Sequence, residues 1–318
     1  MPPAPQPACP RCGYDQSGVA AAWREQCPLD GVCSECGLTF HWADVLNPAL
    51  TTPAWSFEHT ASRLLRRLFA TALRALAPWR FWRRIRLEHP IRVRRLAIVV
   101  IACAAFVHLL YGAVQGWLVY NASLTVQMWA GAGAPAARRA PWQEAVGAMI
   151  WPYADIVVGT GWRGAMVRSF VRATDLVVVL ILVATALALL LLPESFRRAR
   201  IRRMHVLRGG AMSFVIIAPL AAAWVGGLWL ISVTAQRGVV MISGAHLQAA
   251  LALAAVAWLW TYWRMFVVRY LRLQHGGLVA TSMLAIGILS VSTAIVLVGG
   301  ERAWMWLEEF VRWLARGY

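Results

Sequence analysis

LAIVVIACAAFVHLLYGAVQGWLVY occupies residues 96–120. It is 25 residues long and carries no formal charge. About 20 apolar residues suffice for a helix to cross the hydrocarbon core of a bilayer. The stretch therefore reads as a membrane span, and it is too long for a buried helix of a small soluble core. Four more segments share its character: Leu176–Leu192, Ala211–Val233, Leu247 to about Val268, and Leu278–Val298. The fold class expected is mostly α, a polytopic helical bundle of five spans over residues 96–299. Residues 145–160 contain Pro152 and Asp155 and read as a re-entrant or non-spanning segment of an outer loop.

Composition agrees. Hydrophobic residues make up 60% of the chain and charged residues 14%. A soluble domain has about a quarter of its residues charged. The first long apolar run begins after residue 95, too late for a secretory signal peptide.

Every basic residue other than histidine is an arginine, 31 in all, against 14 acids. Without lysine there is neither a Schiff base nor a P-loop lysine. Five spans with the N-terminus inside put 22 arginines and 8 acids on the inner side. The outer side then holds 9 arginines and 6 acids. Inner loops of membrane proteins carry the excess of basic residues, so this orientation is expected, with an inner-membrane location and the C-terminus outside. A sixth span at residues 145–160 would send Arg197, Arg198, Arg200, Arg202, Arg203 and Arg208 outside, against that rule.

Residues 49–95 are a linker followed by a basic stretch. Leu64, Leu65, Leu68, Ala72, Leu73 and Leu76 share one helical face, and Pro78 starts a second short helix. Both helices are expected in the membrane interface. Arg63, Arg66, Arg67, Arg74, Arg80, Arg83, Arg84 and Arg86 are the expected lipid-facing cations, with anionic lipid of the inner leaflet as partner. Residues 300–318, with Trp304, Trp306, Phe310 and Trp313, are expected to form another interfacial helix.

Residues 1–48 contain Cys9-Pro10-Arg11-Cys12-Gly13 and Cys33-Ser34-Glu35-Cys36-Gly37. Two Cys-x-x-Cys pairs at this spacing read as a β-rich zinc ribbon. Two intervening residues let both thiolates reach one ion from a tight turn. The following glycine permits the positive φ that closes the turn. Cys9, Cys12, Cys33 and Cys36 are the expected ligands of one structural Zn2+. Cys27 is an alternative to Cys33, and His41 a weaker one. A cytoplasmic placement keeps these thiols reduced, which favours metal over disulfides.

Within the spans, Gly112 and Gly116 form a GxxxG pair suited to close helix packing, within the chain or between copies in a homo-oligomer. His108 is a possible intramembrane polar site. Glu88-His89 reads as a solvated pair. No H-E-x-x-H, G-x-S-x-G or G-x-x-x-x-G-K motif occurs, so no catalytic residue is expected.

The Cys-Pro-Arg-Cys-Gly-Tyr-Asp start resembles the zinc-ribbon head of bacterial membrane proteins. The Pro78-Trp79-Arg80-Phe81-Trp82-Arg83-Arg84 segment and the order of spans resemble the five-span Yip family. That resemblance implies a cytoplasmic N-terminus and, in eukaryotic members, membrane trafficking. The function expected is non-enzymatic: a membrane-anchored protein whose ribbon mediates protein interaction or scaffolding. A transporter or permease component is the alternative. A membrane-tethered nucleic-acid-binding regulator is a further one, disfavoured because the ribbon itself is acidic.

Overall fold

The computed structural model describes residues 7–24, 26–58, 63–130, 141–150, 180–189, 200–236, 244–273 and 275–294. The chain divides into two compact units. One comprises the described parts of Met1–Arg95, Leu180–Ser213 and Leu259–Tyr318, the other those of Leu96–Val179 and Phe214–Trp258.

The first unit begins with the cysteine-rich head. A short helix α1 (Ser17–Ala21) precedes strands β1 (Asp30–Val32) and β2 (Thr39–His41), paired antiparallel with Gly31 opposite Phe40. Leu38, Phe40 and Trp42 form its small core. The Trp42 ring packs edge-on to Phe40 and Trp23 at 5.0 and 4.7 Å between centroids. A side chain at Gly31 would strike Phe40 and Trp42, so glycine here admits the two rings.

Helices α2 (Trp42–Leu46) and α3 (Pro48–Thr51) lead into a buried linker. The linker is no loose tether, since Thr52, Ser56, Phe57 and Glu58 are all buried. The two basic helices expected from sequence are present as α4 (Leu64–Ala75) and α5 (Pro78–Arg84). Proline at the first helical position costs no hydrogen bond, because that N–H has no partner inside the helix anyway. The helices differ in what they face. In α5, Phe81 and Trp82 are buried, with Trp82 within 5.5 Å of the rings of Tyr262, Phe266 and Tyr270. The interfacial expectation therefore fails for α5, which is held by an aromatic cluster of the protein.

Among the described residues, four helices are long and apolar enough to cross a membrane: Val93–Asn121, Arg203–Gly227, Ala249–Tyr270 and Gly276–Ala294. Their mean hydropathies run from 1.5 to 2.4. The chain is thus a helical protein with membrane-spanning character and a small two-stranded sheet at its head. The expected second span, Leu176–Leu192, is described only over the apolar helix α8 (Leu180–Leu189). Residues 300–318 and 151–160 lie outside the described residues, and with them Pro152 and Asp155.

The Arg203–Gly227 span is built of α9 (Arg203–Ser213), a 3-10 turn at Phe214–Ile216, and α10 (Ile217–Gln236). Pro219 has no N–H to give the carbonyl four residues back, and the helix tightens just before it. The helix starts eight residues before the expected Ala211. Arg208, expected in a loop, is instead helical and 1% exposed. Next comes α11 (Gly244–Met265), which continues as a π-helical turn at Phe266–Tyr270.

In the second unit, α6 (Val93–Ala130) lies against α7 (Pro141–Ile150). A side chain at Gly112 would sit 2.5 Å from the Met149 carbonyl, and one at Gly116 would collide with the Met149 side chain. The GxxxG pair therefore packs within the chain, against α7. His108 is half-buried on α6 and engaged in an interaction.

Candidate metal centre

The two cysteine pairs adopt the same turn. Cys9 N–H donates to the Tyr14 carbonyl at 2.8 Å, and Gly13 N–H to the Cys9 carbonyl at 2.9 Å. In the second pair, Cys33 N–H donates to Leu38 at 3.0 Å and Gly37 N–H to Cys33 at 2.9 Å. Gly13 and Gly37 have φ of +81° and +66°, the left-handed conformation expected of both. Sequence spacing had dictated this local geometry.

The turns bring the Sγ atoms of Cys9, Cys12, Cys33 and Cys36 within 4.8 Å of one another. Cys9–Cys36 and Cys12–Cys33 are 3.6 Å apart. Four sulfurs about 2.3 Å from a central ion stand about 3.8 Å apart at tetrahedral angles. The set can hold a metal ion. Cys27 is exposed, with its thiol turned to the Pro28 carbonyl, and His41 pairs with Asp30. Neither belongs to the cluster. Burial raises the Cys9 and Cys36 thiols above their ordinary range. At Cys33 burial also pushes upward, but the Cys36 N–H and the neighbouring thiols outweigh it and lower the pKa. A bound cation offsets the cost of gathering four such groups as thiolates.

The turn at Cys9–Cys12 is also a docking surface. Its central residues face outward from the cluster and grip two membrane-helix ends. The Arg11 guanidinium donates to the carbonyls of Leu271 and Arg272, both at 3.0 Å, just past the π-turn. Carbonyls at a helix C-terminus lack partners within the helix and favour a cation. The Pro10 carbonyl accepts from His205 Nε2 at 2.7 Å. Arg202 N–H donates to the Arg11 carbonyl at 3.0 Å, and the Arg202 side chain lies against Gly13. Arg200 pairs with Glu35, and Arg272 donates to the Thr39 carbonyl at 3.2 Å.

Behind this contact lies a polar network that sequence reasoning missed. A carbonyl only accepts, so His205 carries its proton on Nε2. Its Nδ1 then accepts from the Tyr270 hydroxyl at 2.7 Å. That hydroxyl accepts from Arg208 Nη1 at 2.9 Å. Arg208 Nη2 meets the Glu58 carboxylate at 2.9 Å and the Pro90 carbonyl at 2.6 Å. Arg208 and Glu58 are both buried, so each charge depends on the other. Gly209 lets α9 approach Phe266 closely enough to make this possible, since a Cβ there would stand 2.7 Å from the ring. One signal was available: an arginine a turn and a half into a long apolar helix needs a partner.

Two residues from 63–95 find partners that the sequence did not indicate. Arg86 is exposed, yet its guanidinium pairs at 2.8 Å with Asp44, whose buried carboxylate demands a counter-charge. Glu88 and His89 are buried rather than solvated. Glu88 faces Arg272 at 3.6 Å, and His89 Nδ1 accepts from the Arg86 N–H at 3.1 Å. Arg74 stacks on Trp55 at 4.9 Å, while Arg63, Arg66, Arg80, Arg83 and Arg84 are exposed and Arg67 half-buried.

Comparison with family models, with curated proteins and with solved structures returned no match, so the Yip likeness rests on the sequence pattern alone.

Proposed function

We propose that the chain is a non-enzymatic membrane scaffold whose zinc ribbon forms a rigid head on the cytoplasmic end of the bundle and offers its outer hairpin to a protein. The carrying observation is the grip of Arg11 on the Leu271 and Arg272 carbonyls. A head on a flexible tether would not need it. Zinc suits four thiolates at tetrahedral spacing, with iron the other metal of that preference. Four protein ligands leave no open position for water or substrate, which supports a structural role over a catalytic one.

The docked side of the head uses Pro10, Arg11 and Thr39. Leu29 and Val32, beside and within β1, remain exposed. Glu35 is already paired with Arg200, but Asp15 and Asp30 are exposed, Asp30 beside His41, and these two acids favour a protein partner with a basic rim and disfavour nucleic acid.

The test uses the full-length chain in its native membrane. Purified protein should contain one zinc per chain by elemental analysis; iron would change the metal assignment. A photo-crosslinker replacing Val32 should capture one protein reproducibly. Leu29→Asp should abolish that capture while zinc content stays the same. Failure to capture any protein from metal-loaded chain would reject the scaffold reading.

A further inference from the structure

The most unbalanced surface of the first unit lies on α4 and at the head of α6, and nothing in the reading of the ribbon uses it. The structure divides α4 into three faces. Thr71 and Ala75 point inward, the Thr71 hydroxyl donating to the Trp55 carbonyl at 3.2 Å. Leu65, Phe69 and Leu73, spaced by four residues, form an outward stripe that is 80%, 67% and 53% exposed. The third face is basic, with Arg66, Arg67 and Arg74. The apolar face seen in sequence is thus split: one part rests on the protein and the other has no cover within the described residues.

The charge on this surface is equally one-sided. Residues 63–95 hold eleven arginines and one acid, Glu88, which is buried and faces Arg272. Arg67 and Arg92 lie close enough for their charges to bear on Arg95. The acid acting on Arg95, Glu58, is paired with Arg208. Arg67 Nη1 is buried with no acceptor among the described residues. Like charges gathered around an acid already paired with Arg208 call for an anion from outside the chain, and exposed leucine and phenylalanine beside them call for hydrocarbon.

Three occupants fit an apolar stripe in general: a second copy, another protein or lipid. Charge complementarity decides among them. A second copy would bring the same arginines to face these. The chain also enters its first membrane-capable helix at Val93, eighteen residues after α4 ends at Ala75. Anionic lipid is therefore within reach wherever that helix spans.

We propose that α4 and the head of α6 form a binding site for anionic phospholipid, with Leu65, Phe69 and Leu73 in the acyl boundary and Arg66, Arg67 and Arg92 on the phosphate. The site is independent of what the ribbon recruits, and α5 takes no part in its apolar contact. The geometry differs from a general basic coat because one stripe and one arginine group act together.

The test uses full-length protein in nanodiscs holding equal amounts of phosphatidylglycerol and phosphatidylcholine. Phe69 is replaced by p-benzoylphenylalanine, which keeps an aromatic ring at the position. On irradiation the main adduct should be phospholipid, with phosphatidylglycerol favoured about fivefold, as expected from even one arginine near the headgroups. Arg66→Gln with Arg67→Gln should lower the ratio, leaving only the share due to Arg92, while the metal content is retained. A protein adduct, to a second copy or to another chain, would overturn the lipid assignment. An even lipid ratio in the parent chain would overturn the anionic preference, and so would a ratio that the double substitution leaves unchanged.

Discussion

His89 shows how burial turns one side chain into a pH dependence. Burial, together with the positive charges of Arg208 and Arg86, lowers its pKa to about 4. The unfolded chain takes up the same proton near pH 6.5. Between those values the unfolded state binds more protons than the folded one, so stability falls as the pH falls through that window. The loss is on the order of 3 kcal/mol across it, and nothing is lost above pH 6.5. His89→Asn keeps an acceptor for the Arg86 N–H and should flatten this dependence. Thermal midpoints of both proteins at pH 7.5 and 4.5 measure the difference.

Arg208 is the second residue with a large expected effect. Arg208→Met leaves the Glu58 carboxylate buried without its cation and should cost about 3–5 kcal/mol. Arg208→Met combined with Glu58→Met should recover most of that, because neither charge is then stranded. Denaturant midpoints of the single and double variants decide whether the pair behaves this way. Neither partner could be paired from sequence, since they stand 150 residues apart. Gly13 and Gly37 are the opposite case: their left-handed φ follows from a turn five residues long, so it was readable at once.

At the scale of elements, α4 and α5 teach the same lesson. Both alternate arginine with large apolar residues, and both suggested an interfacial helix. What separates them is the aromatic group of Tyr262, Phe266 and Tyr270, which covers Trp82 and leaves Phe69 bare. That group lies some 180 residues further along the chain, beyond the reach of local periodicity. The α6–α7 contact was half legible: GxxxG signalled close packing, but not its partner. Gly112→Val would drive its Cβ against the Met149 carbonyl, a backbone atom that cannot rotate away. It should destabilise the α6–α7 packing by roughly 1–3 kcal/mol. Faster hydrogen exchange in residues 141–150, with the ribbon unaffected, would be its signature.

For the whole molecule, hydropathy was enough for the class of fold, helical with membrane-capable spans, because it sums over many residues. The docking of the head was not legible, since it depends on individual hydrogen bonds, one accepted by the Pro10 carbonyl and others donated by Arg11. Those bonds predict what metal removal does. Chelation should unfold the turn that positions both residues, and the effect should not stop at the ribbon. Hydrogen exchange should quicken in residues 203–208 and 268–273 as well as in 9–36. Quickening confined to residues 9–36 would show that the head and the helix ends are energetically independent.

The contact between Arg11 and Leu271 also sets an order of events during synthesis. The chain elongates at about 5–20 residues per second, so roughly 13–50 s separate the emergence of one partner from that of the other. The head is made well before the surface that seats it. Through that interval the four cysteines stand without the surface they will rest on, exposed to whatever in the surroundings competes for thiols. A nascent chain stalled before residue 260 should accordingly carry metal while Arg11 stays open to the solvent, and a metal-free stalled chain would show that seating comes before loading.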